Sequence, residues 1–118
     1  MVIIDIKKKE TVCIYRAVGK DELKSILKTK QFSLKCGGAE VKYFGIDFNE
    51  TLNFANKDLF DDDPAAAIVE VVIEKNVLEI IGDFTNVDAR IFRSGTVEIQ
   101  ENKLFQFNSA IIGINYYI

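Results

Sequence analysis

Residues 67–74 read Ala-Ile-Val-Glu-Val-Val-Ile-Glu, with Ala67, Val69, Val71 and Ile73 alternating with Glu70 and Glu74. Successive side chains of an extended chain point to opposite faces, so this stretch predicts a strand with one wet face. On its N-terminal side, Asn49 reads as the N-cap of a helix reaching to about Phe60, with Leu52, Phe54 or Ala55, and Leu59 turned inward, ended by Asp61-Asp62-Asp63-Pro64. Further back, residues 42–46 read as a short strand after a loop carrying Gly37-Gly38. Residues 11–18 read as a strand and Asp21 to Lys30 as a helix with Leu23, Ile26 and Leu27 on one face, with Gly19 breaking the two.

On the C-terminal side, residues 75–94 hold the pairs Val77-Leu78 and Ile80-Ile81 and a loop with Gly82, Asn86, Arg90 and Arg93, without a decisive period. A strand follows at 96–100 and a turn or short helix at 101–107. The last strand, 110–118, places Ile112, Ile114, Tyr116 and Ile118 on one face. Strand, helix, strand, helix, then mainly strands, without regular alternation, predicts α+β and not a doubly wound parallel sheet.

Composition bounds the chemistry. The chain has 118 residues, 48% apolar and 28% charged, which is the range of one globular domain spanning 1–118. A fold of this size removes roughly two-thirds of the unfolded surface from water, enough for a core without disulfides or metal. Nine Phe, four Tyr and one Pro favour a sheet-rich body. A net charge of −3 argues against nonspecific nucleic-acid binding, and Lys7-Lys8-Lys9 is a poor phosphate footprint in an acidic chain. The absence of histidine excludes His-based acid/base chemistry, His-assisted nucleophiles and most zinc sites. Asp61-Asp62-Asp63 lacks the spaced ligands and glycine of a calcium loop and reads as a solvated helix end. Cys13 and Cys36 have no metal-type spacing and read as reduced thiols. No apolar run approaches a secretion signal or a membrane span, so the expectation is a soluble, cytoplasmic protein.

Two side chains stand out. Of the fifteen basic residues only Arg16, Arg90 and Arg93 are arginine. On an extended segment Arg16 shares the face of Val12, Ile14 and Val18, where an unpaired guanidinium would cost on the order of several kcal/mol. It therefore needs a carboxylate, backbone carbonyls or an anionic ligand. Glu98 shares its strand face with Thr96 and Gln100, either as part of a solvated face or as a site carboxylate.

The sequence resembles the ADP-ribosyltransferase-like domains, especially small bacterial toxin and effector members. The resemblance runs through Ile14-Tyr15-Arg16-Ala17-Val18, the helix at 21–27, and Val41-Lys42-Tyr43-Phe44-Gly45 before a helix with Ala55. It continues through Ile68 to Ile73 and closes on Val97-Glu98-Ile99 before Leu104 to Asn108. It implies a split, mainly antiparallel sheet with two or three helices. It also implies NAD as cofactor, with Arg16, Tyr15, Tyr43 and Phe44 at the dinucleotide and Glu98 as the catalytic carboxylate at the nicotinamide ribose. The implied activity is mono-ADP-ribosyl transfer to a protein acceptor, or NAD hydrolysis, and the toxin and effector members imply a module that acts inside a target cell.

Two positions depart from the arginine-modifying pattern. Phe44 is followed by Gly45-Ile46-Asp47 where Ser-Thr-Ser is usual, and Thr96 stands where Gln or Glu precedes the catalytic glutamate. The alternative is a noncatalytic module on the same scaffold that binds a protein partner or a nucleotide. The enzyme reading predicts that Arg16 and Glu98 face one common cleft.

Overall fold

The computed structural model describes residues 10–33, 41–56, 65–86 and 88–118. Its central strands are β1 (Thr11–Val18) and β3 (Ala67–Glu74), antiparallel over eight registered pairs from Thr11 with Glu74 to Val18 with Ala67. On the far side of β3 lies β6 (Ile111–Tyr117). On the far side of β1 lie β2 (Lys42–Gly45), β5 (Thr96–Ile99) and β4 (Gly82–Thr85), giving the antiparallel order β4-β5-β2-β1-β3-β6. β1 and β2 share a single registered pair, Tyr15 with Gly45. The sheet is therefore two well-paired halves joined by one backbone pairing.

Alternation decides what each face does. Val12, Ile14 and Val18 of β1, with Val69, Val71 and Ile73 of β3 and Val97 and Ile99 of β5, form the core face. Helix α1 (Lys20–Thr29) lays Ile26 and Leu23 on it, α3 (Lys75–Ile81) adds Leu78 and Ile81, and α4 (Leu104–Ala110) adds Leu104, Phe107 and Ala110. Phe107 and Phe44 of β2 pack with Phe32 in one aromatic cluster at centroid separations of 5.1–5.7 Å. Each such buried side chain contributes about 1.5–3 kcal/mol through its removal from water. Asn108 ties α4 to the segment after α1, accepting from the Phe32 N–H at 2.8 Å and donating to its carbonyl at 2.9 Å. The opposite face is covered by α2 (Phe48–Asn56), which packs on β1, β2 and β3.

Local chemistry explains the helix ends. Asp21 and Glu22 in the first turn of α1 and Lys28 in its last complement the helix dipole, and Lys30 closes it in the left-handed region at φ 57°. α2 is capped by Asp47 rather than Asn49. An Asp47 carboxylate oxygen accepts from the Glu50 N–H at 3.0 Å, the usual N-cap bond. The helix therefore starts two residues earlier than the sequence reading, and of the residues read as inward Phe54 lies on the sheet side while Leu52 does not. Leu52 is exposed and Thr51, 1% exposed, takes the inward position.

Residues 75–85, which carry no clear period, form α3 and β4, and Glu101–Lys103 is a 3₁₀ turn leading into α4. Among the described residues there are thus four α-helices, against the two or three expected. The last strand has a bulge between Ile73 and Val72 of its partner, which takes Ile112 out of the simple alternation. Cys36, Gly37-Gly38, the Leu59 end of the second helix, Asp61 to Pro64 and Lys7-Lys8-Lys9 lie outside the described residues. No helix among the described residues is long and apolar enough to cross a membrane.

Candidate functional site

Where β1 and β2 part, on the α2 side of the sheet, a cleft of about 430 Å³ opens. Tyr15, Arg16 and Ala17 of β1 and Tyr43, Phe44 and Gly45 of β2 line it, with Thr51 and Phe54 of α2, Asp88 and Phe92 of the β4–β5 connection, and Thr96 of β5. The glycine is structurally required. A Cβ on Gly45 would collide with Thr51 Oγ1 and reach the Phe92 ring at 3.0 Å, so only glycine lets α2 and the connection come this close. Thr51 is held by donating to the Asp47 carbonyl at 3.0 Å, and Phe92 packs against Phe54 with centroids 5.3 Å apart.

The resemblance-derived residues are only partly brought together. Tyr15, Arg16, Tyr43 and Phe44 all border the cleft. The Phe44 ring, 1% exposed, belongs to the core cluster with Phe32 and Phe107. Tyr43, on the other face of β2, is 44% exposed and is the β2 ring open to a ligand. Tyr15 meets Phe48 edge to face at 5.6 Å. Burial raises its phenol pKa above the ordinary value, helped by Cys13 and by the charge and hydrogen bond of Glu70. Glu98 stands directly opposite Tyr43 across β2 and β5, and its carboxylate accepts from Thr85 Oγ1 at 3.4 Å. Thr85 in turn meets the hydroxyl of Thr96 at 2.9 Å, which leads back to the cleft wall.

Arg16 and Glu98 do not face one cleft, which corrects the sequence expectation. Tyr15 pairs with Gly45 and Gly45 with Thr96, so Tyr15, Tyr43, Thr96 and Glu98 project to one face. Arg16 has the opposite parity and leaves β1 on the core side. There its Nε and Nη2 donate to the two Glu22 carboxylate oxygens at 2.7 and 3.1 Å, and Nη1 donates to the Tyr43 carbonyl at 3.1 Å. The partner that an arginine on an apolar face needs is therefore Glu22, one helical turn into α1, together with a backbone carbonyl at the strand junction.

Lys42, 3% exposed, shares this environment with its Nζ 3.8 Å from the same Glu22 carboxylate. It has the core-side parity of Phe44, and the reasoning applied to Arg16 would have singled it out. The residues least legible in sequence are Thr51, Asp88 and Phe92, which reach the cleft from a helix that begins earlier than the Asn49 cap suggests and from a connection without a period.

Among the described residues no group of three or more His, Cys, Asp or Glu side chains converges as a metal site. Cys13 is an exposed free thiol whose pKa is raised, first by burial of the sulfur and then by Glu70. Comparison of the chain with protein-family models, curated proteins and solved structures returns no match.

Proposed function

We propose that the cleft binds NAD by its nicotinamide ribose end and that the domain is an ADP-ribosyltransferase-like enzyme, transferring ADP-ribose to a protein acceptor or to water. The observation that carries the reading is the solvent-open Tyr43 ring paired across the strands with Glu98, beside a largely apolar cleft at the Tyr15–Gly45 junction of the two sheet halves. A cleft of about 430 Å³ is of a size that holds a nicotinamide riboside unit. In the reaction the bond between nicotinamide nitrogen and ribose C1′ breaks, its electron pair leaves with neutral nicotinamide, and the acceptor oxygen or nitrogen bonds C1′ while losing a proton to solvent. Positive charge develops on the ribose before the new bond forms. A carboxylate at the Glu98 position stabilises that charge, and a ring at the Tyr43 position holds the leaving group in plane. A toxin or effector setting fits this chemistry.

A second reading, a noncatalytic nucleotide- or protein-binding module, is favoured by one observation: the Arg16 guanidinium is engaged by Glu22 on the opposite face from Glu98. Incubating the protein with NAD and measuring free nicotinamide, alongside calorimetric NAD binding, tests both. Nicotinamide release supports the enzyme, binding without release supports the module, and neither overturns the NAD site.

A further inference from the structure

Resting on that reading of the cleft, we infer that Arg90 and Arg93, not Arg16, hold the phosphates of the bound dinucleotide. Arg16 is consumed structurally by Glu22 and the Tyr43 carbonyl, so the anionic part of the ligand needs another partner. The other two arginines in the chain both lie in the β4–β5 connection. Arg90 falls between Asp88 and Phe92, both of which line the cleft, and Arg93 directly follows Phe92. The Arg90 Nε is 4.0 Å from the Asp88 carboxylate, which places the guanidinium at the rim, and its side chain is 96% exposed. An ion pair this long and this exposed contributes little, so it leaves Arg90 available to a stronger anion.

The connection is also held in shape. The Asp88 backbone carbonyl accepts from the Ile91 and Phe92 N–H groups, the Phe92 carbonyl accepts from that of Gly95, and Gly95 takes a positive φ of 98°. Ser94 donates its N–H and its hydroxyl to the Glu50 carboxylate of α2, the hydroxyl at 2.7 Å. A segment held by its own turn bonds and tied to α2 at Ser94 presents its charges with little ordering cost on binding. The chain otherwise relies on lysine for positive charge, and arginine is the residue whose planar fork matches phosphate oxygens two at a time. Asp88 itself suits ribose hydroxyls, which donate to a carboxylate. The cleft is thus divided into an aromatic end for the base, a carboxylate for the sugar and an arginine rim for the phosphates.

The experiment compares NAD with nicotinamide riboside, which lacks phosphate, by calorimetry on the parent and on the double variant Arg90→Ala/Arg93→Ala. The double variant should bind NAD roughly tenfold or more weakly and nicotinamide riboside with unchanged affinity, at an unchanged thermal midpoint. Arg90→Lys/Arg93→Lys, which keeps charge and loses the fork, should fall between the two. Unchanged NAD affinity in the alanine variant overturns the arginine rim and leaves the NAD site standing. A parent that binds the riboside and NAD equally well also overturns it. A parent that binds neither overturns the site reading and the inference together.

Discussion

Tyr43 and Glu98 face each other across β2 and β5, on the same side of the sheet, while Arg16 leaves β1 on the other side, where it binds Glu22 and meets Tyr43 through its backbone carbonyl. The ring and the carboxylate are therefore neighbours whose roles can be separated from that of the arginine.

If Glu98 stabilises charge that exists only at the barrier, Glu98→Gln should lower the rate of nicotinamide release by about 100-fold or more while leaving NAD affinity nearly unchanged. Its hydrogen bond within the protein is the long one from Thr85, so the thermal midpoint should hardly move. A steady-state rate, a calorimetric titration and a melting curve on the one variant check all three.

Stability should instead depend on Glu22. Glu22→Gln removes the carboxylate that accepts two hydrogen bonds from Arg16 and lies near Lys42. Leaving part-buried charged donors without it should cost about 1–3 kcal/mol, seen as a lower midpoint in urea with an unchanged slope. Arg16→Lys, which cannot make the forked contact, should lose a substantial part of the same amount.

Gly45→Ala should destabilise the protein by about 1–3 kcal/mol through overpacking, because the added methyl meets Thr51 and Phe92. Combining it with Thr51→Ala removes the colliding hydroxyl. The double variant should then be less destabilised than the two single changes predict by addition, a coupling that a double-mutant cycle in denaturant measures.

Tyr15 supplies an alkaline pH dependence. Its folded pKa is raised, so above the ordinary tyrosine range the unfolded chain has released a proton that the folded chain still holds. Stability therefore falls as pH climbs from the ordinary value through the raised one, and is unaffected by this group below it. Tyr15→Phe should flatten that part of the curve. In an ultraviolet titration of the folded parent, Tyr15 should ionise late, and the late component should vanish in the variant.

The strands β1 and β3 are legible in sequence because each carries enough alternation to declare its faces by itself, and α1 because Leu23 and Ile26 recur at helical spacing. Parity within a strand, however, says nothing about parity between strands. Arg16 and Glu98 were each assigned correctly to a face of their own segment, and only the register of Tyr15 with Gly45 and of Gly45 with Thr96 shows that the two faces are opposite. The start of α2 is ambiguous in sequence because Asn49 and Asp47 are both good caps and the Asp47 carboxylate is the one that reaches a free N–H. α3 and β4 were hidden because seven-residue and four-residue elements are too short to establish a period. The cleft is legible in sequence through its β1 and β2 wall, Tyr15, Arg16, Tyr43 and Phe44, but not through Phe92 and Asp88, which reach it by a connection whose path depends on Gly45 and on the Glu50 strap.

The single pairing between β1 and β2 also governs how the molecule transmits force and time. Within each half the strands are cross-linked by successive backbone bonds, whereas across the junction the coupling runs through the Phe32, Phe44 and Phe107 rings, the Arg16 to Tyr43 contact and the cover of α2. Side-chain contacts of that kind loosen together. Amide hydrogen exchange should then separate into two sets, with the β1 and β3 amides the slowest and those of β2, β4 and β5 released earlier as one group. The cleft, seated on that boundary, would breathe with the faster set, so a ligand that bridges the junction should slow exchange not only in the β2 and β5 residues it touches but also in β4, which does not line the cleft.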